Sequence, residues 1–351
     1  MSVSRKQVLD ALGQIKTPDG RDIVSAGMVR ALAVEDGAVR FVLEVPAGSA
    51  EAMAPVRDAA QSALEALDGV RSVSAPMTAP AAPPQAPPDL GTKPQGPEPL
   101  PDVARIIAIA SGKGGVGKST VSANLACALA AEGRRVGLLD ADVFGPSQPR
   151  MLGVSGAPTS PDGTTIIPLR NHGVTMMSIG LMTREDEAVV WRGPMLIGAL
   201  GQLLGQVAWG ALDILLIDLP PGTGDVPMTL AQKARLDGAI IVSTPQDVAL
   251  LDARKGMDMF DKMNVPIIGM IENMSTHICS NCGHEEHTFG HGGVAEEAAR
   301  IGAPLLAELP LDIDIRLAAD AGAPIVVAKP DSAQAQAFRT LARRLIDEGQ
   351  A

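Results

Sequence analysis

From residue 102 onward the hydrophobic positions fall into short unbroken runs: Ile106–Ala110, Val136–Leu139, Val174–Ile179, Ile214–Ile217, Ala239–Val242, Ile267–Ile271 and Leu305–Leu309. Stretches with helical spacing lie between most of them, among them Met195–Val207 and Val248–Met263. Short apolar runs that do not alternate with polar residues suit strands covered on both faces. Their alternation with helices predicts an α/β fold, a mainly parallel sheet with helices on both sides.

The first 76 residues carry another pattern. Val8, Leu9, Leu12 and Ile15 are spaced for a helix behind a capping Ser4, and Pro18–Gly20 makes a turn. Met28–Val34 and Val39–Val45 alternate around Asp36–Gly37, which signals a hairpin. Ala50–Leu67 reads as a second helix and Val70–Val73 as a last strand, so residues 1–76 form a small α+β domain of order α-β-β-α-β. Residues 77–101 are nearly all Pro, Ala, Gly, Gln and charged, with Pro80, Pro83, Pro84, Pro87 and Pro88 among them. Such a stretch lacks the apolar surface to fold and predicts a semi-extended linker to the domain at 102–351.

The run Ile106–Ala110 opens into Ser111-Gly112-Lys113-Gly114-Gly115-Val116-Gly117-Lys118-Ser119-Thr120, with helical spacing from about Lys118 to Ala131. A strand, the spacing G-x-x-x-x-G-K-S and a helix are the context of a phosphate-binding P-loop. Gly112, Gly114, Gly115 and Gly117 let backbone N–H groups approach phosphate oxygens, and the helix start adds its positive end. Lys118 is expected at the β- and γ-phosphates and the Ser119 hydroxyl on Mg²⁺, so the chain binds a nucleoside triphosphate. Ile214–Ile217 ends in Asp218-Leu219-Pro220-Pro221-Gly222-Thr223-Gly224-Asp225, where a buried strand delivers a carboxylate to the Mg²⁺ shell. The second strand ends in Asp140-Ala141-Asp142-Val143-Phe144-Gly145-Pro146-Ser147, which also places carboxylates at a strand end.

Downstream, Glu272-Asn273-Met274-Ser275 closes another strand, and Cys279-Ser280-Asn281-Cys282-Gly283-His284 follows, with His287 and His291 beyond. Two cysteines at this spacing converge on one metal. The pair could join His284 and His287 on a zinc ion, act as a redox couple, or meet a second copy of itself and supply four thiolates to one [4Fe–4S] cluster. Cys127 falls on the apolar face of the P-loop helix and reads as core.

Composition narrows the partners. The chain has 351 residues, a net charge of −11, no Tyr and five Phe, so small aliphatic residues fill its core and no nucleic-acid surface is expected. Met1–Asp10 is polar, no run approaches the roughly 18 apolar residues of a membrane span, and three cysteines make no disulfide framework. A cytoplasmic protein without a membrane partner is expected. Residues 332–348 could form an amphipathic helix, with Phe338, Leu341, Leu345 and Ile346 on one face and Arg339, Arg343 and Arg344 nearby; such a terminal helix more often packs on its domain than meets a membrane.

The loop Lys113-Gly114-Gly115-Val116-Gly117-Lys118-Ser119, with its second lysine, resembles the deviant Walker A loop of the MinD/ParA/nitrogenase-iron-protein ATPases. Taken in order with D-A-D-V-F-G-P-S, D-L-P-P-G-T-G-D, E-N-M-S and C-x-x-C-G, it resembles the Mrp/ApbC family of iron–sulfur cluster carriers over about residues 103–345. Gly20-Arg21-Asp22-Ile23-Val24-Ser25-Ala26-Gly27-Met28-Val29 is similar to the small domain of iron–sulfur assembly factors. Many relatives of that domain carry a cysteine after the second strand; Val45–Ser49 holds none, which leaves a docking or structural role.

The resemblance implies a homodimer that sandwiches ATP, with Lys113 reaching the partner's nucleotide. It implies that Asp142 orients the attacking water, that Asn273 contacts adenine, and that Cys279 and Cys282 hold a labile [4Fe–4S] cluster between two chains. Lys113, Lys118, Asp142 and Asp218 are then the catalytic set. Slow hydrolysis would load or release the cluster toward recipient apo-proteins. The rivals are a positioning ATPase of the MinD/ParA type and a zinc-stabilised nucleotide switch without a cluster.

Overall fold

The computed structural model describes residues 3–35, 37–45, 49–78, 100, 102–182 and 193–351. Backbone contacts group the chain into two units, Met1–Lys93 and Pro94–Ala351. In the first unit α1 (Arg5–Leu12) starts at Ser4, whose hydroxyl caps the Gln7 N–H while Gln7 Oε1 accepts from the Ser4 N–H. That reciprocal cap satisfies donors a helix start leaves open. Strands β1 (Val29–Glu35) and β2 (Ala38–Glu44) pair antiparallel, and α2 (Ala50–Glu65) follows. Both β3 (Ser72–Ser74) and β4 (Met77–Thr78) run parallel to β2. Met77 and Thr78 therefore belong to this sheet and not to the linker that composition assigned them to. The remainder of that linker at 79–99 and 101, Asp36 of the hairpin turn and Pro46–Gly48 lie outside the described residues. Leu12, Ile23, Phe41, Leu43 and Leu64 are fully buried in this unit's own core.

The second unit begins with β5 (Ile106–Ala110), α3 (Lys118–Ala131), β6 (Val136–Asp140), α4 (Gln148–Met151), β7 (Leu169–Asn171) and β8 (Val174–Ser178). It continues through α5 (Gly193–Gly205), β9 (Ile214–Asp218), α6 (Asp225–Lys233), β10 (Gly238–Ser243), α7 (Asp247–Lys262) and β11 (Ile267–Asn273). The two short strands β12 (His277–Ile278) and β13 (Glu285–Glu286) form a hairpin. Then come α8 (Gly293–Ile301), β14 (Leu305–Leu309), α9 (Ile313–Asp320), α10 (Ile325–Ala328) and α11 (Ala333–Asp347). The eight-stranded sheet has the order β14-β11-β10-β5-β9-β6-β8-β7. All pairings in it are parallel except the edge pair β7/β8.

The unbroken apolar runs follow from burial on both faces. Along β5, Ile106, Ala108 and Ala110 join the core under α5, α6 and α7, while Ile107 and Ile109 join the one under α3 and α11. From β5 the chain crosses through α3 to β6, and later strands β10 and β11 build on the other side. The carboxyl end of β5 therefore sits at the topological switch point, where open α/β sheets place their ligand crevice.

The amphipathic stripe of α11 faces this core. Phe338, Leu341 and Leu345 are buried with α3 residues Leu125 and Leu129. Arg339 and Arg343 pair with Glu132 at 2.8 and 3.1 Å, and Arg344 donates to the carbonyls of Leu305 and Leu306. The stripe and its arginines are thus engaged within the fold, and no helix among the described residues is long and apolar enough to cross a membrane. Phe338→Ala should lower stability by about 3–5 kcal/mol. Urea unfolding followed by circular dichroism reads this; an unshifted midpoint would mean that α11 is not part of the core.

Candidate functional site

The P-loop leaves β5 at Ser111 and enters α3 at Lys118. Two of its glycines are demanded by their neighbours. A Cβ at Gly112 would stand 2.1 Å from the backbone carbon of Asp252, because α7 packs directly on the loop. Gly117 has φ +83°, which disfavours any side chain, and a Cβ there would meet Asn273 Nδ2 at 2.2 Å. The loop encloses a cavity of about 210 Å³, bounded by residues 113–120, Asp142, Ser147 and Pro221. Lys113 lines it with an exposed side chain. Beneath the loop Asn273 is buried, and its Nδ2 donates to the Val116 carbonyl at 2.8 Å. Its amide nitrogen is therefore committed to holding the P-loop.

Buried carboxylates form the floor. Asp218 closes β9 with no exposure and accepts from Lys118 Nζ at 2.6 Å, Ser122 Oγ at 2.9 Å and Gln148 Nε2 at 2.8 Å. Lys118 Nζ also lies 3.2 Å from Ser119 Oγ and 3.9 Å from Asp142. Asp140 stands opposite Asp218 in the parallel register of β6 and β9. Burial and then the charge on Asp218 push its carboxyl up to about 7. It accepts from the backbone N–H of Asp142 and of Gln148 and from Ser178 Oγ, at 3.2, 3.1 and 3.0 Å. Burial also raises Asp142, and the Lys118 ammonium partly offsets this.

The structure brings Lys118, Ser119, Asp142 and Asp218 together, and adds Ser122 and Gln148, which the motifs do not single out, together with Asp140, which they place only at a strand end. Asp140 carried a usable signal, since it ends an apolar strand just as Asp218 does. Gln148 carried none. It is wholly buried, and its Nε2 bridges the Ser119 carbonyl and Asp218. The hard oxygens of Ser119, Asp142 and Asp218 suit Mg²⁺. Ser147 Oγ, buried at the cavity wall without a hydrogen-bond partner among the described residues, leaves a polar group for a phosphate or its water.

The cysteines sit at the tip of the hairpin formed by β12 and β13. The Cys279 N–H donates to the His284 carbonyl at 2.9 Å and the Gly283 N–H to the Cys279 carbonyl at 2.8 Å, with Gly283 at φ +71°. Backbone N–H groups of Asn281 and Cys282 point at the Cys279 thiol and lower its pKa, whereas burial pushes Cys127 up to about 12. Two histidines near the hairpin are tied to backbone: His277 Nδ1 lies 3.0 Å from the Leu311 carbonyl and His287 Nδ1 2.8 Å from that of Ser275. Among the described residues one group of three ligating side chains converges, Glu272, His291 and Glu308, and neither thiol belongs to it. The one-chain zinc set with His284 and His287 is not assembled.

Gly117→Ala should abolish nucleotide binding, since both the φ and the Asn273 contact forbid the methyl; binding of a fluorescent ATP analogue that matches wild type would refute this reading. Cys279 should be alkylated by iodoacetamide at pH 7 faster than free cysteine, with a rate–pH midpoint below that of the free thiol, while Cys127 stays unmodified. Mass spectrometry of peptides over a pH series reads both, and a midpoint at or above that of free cysteine would remove the backbone effect.

Residues 102–346 match the family described as the NUBPL iron-transfer P-loop NTPase, and residues 5–75 match that of the iron-sulfur cluster assembly protein. The chain is 50% identical over 284 residues to an iron-sulfur cluster carrier protein of Pseudomonas fragi, covering 80% of this chain and 96% of that protein. It is 41% identical over 351 residues to one of Helicobacter pylori, covering 98% and 92%. A solved nucleotide-binding protein of Archaeoglobus fulgidus in complex with ADP is 40% identical, with a TM-score of 0.57 over 64% of this chain and 88% of that one. Because the first of these matches spans more than half of the chain, from before β5 into α11, the chain belongs to the iron-transfer P-loop NTPase family.

Proposed function

We propose that this protein binds and hydrolyses ATP with Mg²⁺ and carries a labile [4Fe–4S] cluster, held by Cys279 and Cys282 of two copies, to recipient apo-proteins. The observation that carries the proposal is the pair of thiols at an exposed hairpin tip, with no third ligating side chain of the same chain beside them among the described residues. A cubane cluster takes four thiolates, so a second copy of the pair completes the set. An open site of this kind suits release better than storage. The curated relatives named as iron-sulfur cluster carriers support the same cargo.

In this reading the P-loop amides and Lys118 hold the β- and γ-phosphates, and Ser119 with Asp218 holds Mg²⁺, which neutralises charge on the phosphoryl oxygens. Asp142 orients the attacking water. Lys113, exposed at the cavity mouth, reaches the partner's nucleotide in the dimer. Asn273 meets adenine only if its amide leaves Val116 or its Oδ1 serves instead. The small domain, 1–76 with Met77 and Thr78 added, is a docking module tethered by the following linker. The stripe on α11 that a membrane-binding positioning ATPase would use is core, which disfavours that rival.

Lys118→Ala should abolish ATP turnover. It should also cost about 3 kcal/mol of stability, because it leaves Asp218 buried without its cation; undiminished turnover would overturn the P-loop assignment. Anaerobic reconstitution with iron and sulfide should give about four irons per dimer and a broad violet-blue absorption band. Cys279→Ala and Cys282→Ala should each lose both while keeping basal ATPase activity. Stoichiometric zinc without sulfide, or normal iron in either variant, would sink the shared-cluster model.

A further inference from the structure

At the foot of the cysteine hairpin, side chains from three elements face one another. Glu272 lies on β11, Glu308 on β14, and His291 in the turn before α8. The two glutamates are opposite each other in the parallel register of their strands. Like charges so placed destabilise a sheet unless something positive lies between them. Glu272 has no exposure, and neither carboxylate has a Lys or Arg partner among the described residues. The backbone N–H groups of Gly292 and Val294 donate to Glu272 Oε1 and Oε2 at 3.1 and 3.0 Å. They hold the carboxylate in place and leave each oxygen a free lone pair.

His291 supplies the third donor. Its Nδ1 lies 3.7 Å from Glu272 Oε1 and 4.0 Å from Glu308 Oε1, and one ligand atom from each of the three side chains falls within 4.8 Å of the other two. These separations are too long for hydrogen bonds. They are slightly longer than the roughly 3–3.6 Å between neighbouring donors that metal–ligand distances of about 2.0–2.2 Å produce. The His287 ring stacks on His291 at 4.5 Å, and His287 is itself anchored on the Ser275 carbonyl, so the imidazole is held facing the carboxylates. Buried charges in proteins are paired or coordinate metals.

We propose that Glu272, His291 and Glu308 form a mononuclear site for a divalent first-row transition-metal ion of the Fe²⁺ and Zn²⁺ class, separate from the thiolates. One imidazole with two carboxylates is a borderline donor set that suits these ions over Cu(I), and the imidazole disfavours Ca²⁺ and Mg²⁺. His291 and Glu308 are each about half exposed, at 49% and 44%, so water completes the coordination and the ion exchanges with solvent. The site does not depend on the carrier reading, because no cysteine takes part.

The test uses the full chain with Cys279→Ser and Cys282→Ser, so that no thiolate at the hairpin can hold metal. Co²⁺, followed by visible absorption, and Zn²⁺, followed by calorimetry, are titrated in the absence of nucleotide. One ion per chain should bind, His291→Ala and Glu308→Gln should each weaken binding by at least about tenfold, and His284→Ala should leave it unchanged. The substituted side chains are exposed enough that circular dichroism should show an unaltered fold. Absence of saturable binding, binding that survives His291→Ala, or binding lost with His284→Ala would each overturn the assignment. Because the cysteines are already gone, a negative result leaves the cluster proposal standing, and failure of cluster reconstitution leaves this one standing.

Discussion

The carboxylate of Asp218 is buried at the centre of a parallel sheet, and such a charge persists only where its surroundings supply enough donors. Lys118 and Ser122 come to it from α3, and Gln148 from the segment after β6. The start of the P-loop helix, the end of β9 and the loop following β6 are thus anchored on two oxygen atoms. Asp140, one strand over in the same register, repeats the device in a second layer, gathering the N–H groups of Asp142 and Gln148. Burial, and after it the neighbouring charge of Asp218, raise Asp140 to about 7, whereas Asp218 has the Lys118 ammonium beside it.

β11 joins the nucleotide region to the hairpin. Asn273 holds the P-loop through Val116, its neighbour Glu272 holds the start of α8, and Ser275 two residues on receives His287. Met274 between them has φ +59°, a left-handed conformation rare for a residue with its side chain. One short run of chain thus contacts both the P-loop and the segment that leads into the turn carrying the cysteines. The segment leading into the hairpin is tied to β14 and the residues after it, the Ser275 N–H donating to the Leu309 carbonyl and the Leu311 N–H to that of Thr276.

Much of this was legible in the residues. Runs such as Ile106–Ala110 declare a strand buried on both sides because alternate residues must meet separate cores, and the glycines and Lys118-Ser119 declare the phosphate loop. The hairpin from His277 to Glu286 was not legible, since its strands are two residues each and carry no apolar period. Helix α11 shows the opposite case. Its stripe was visible, but a stripe cannot say whether it meets lipid or a neighbouring helix, and only α3 opposite Phe338 decides that.

What the chain alone determines is therefore what depends on local spacing: strand, loop and helix order, the P-loop, and a thiol pair that can share a metal. Tertiary structure decides what depends on distant residues becoming neighbours. Gln148 meets Asp218 across 70 positions of sequence, and Glu272 faces Glu308 only because β11 and β14 pair in that register. Asn273 illustrates both parts. Its place at a strand end could be read from the sequence, but its bond to Val116 exists only because β11 runs beneath a loop formed 157 residues earlier.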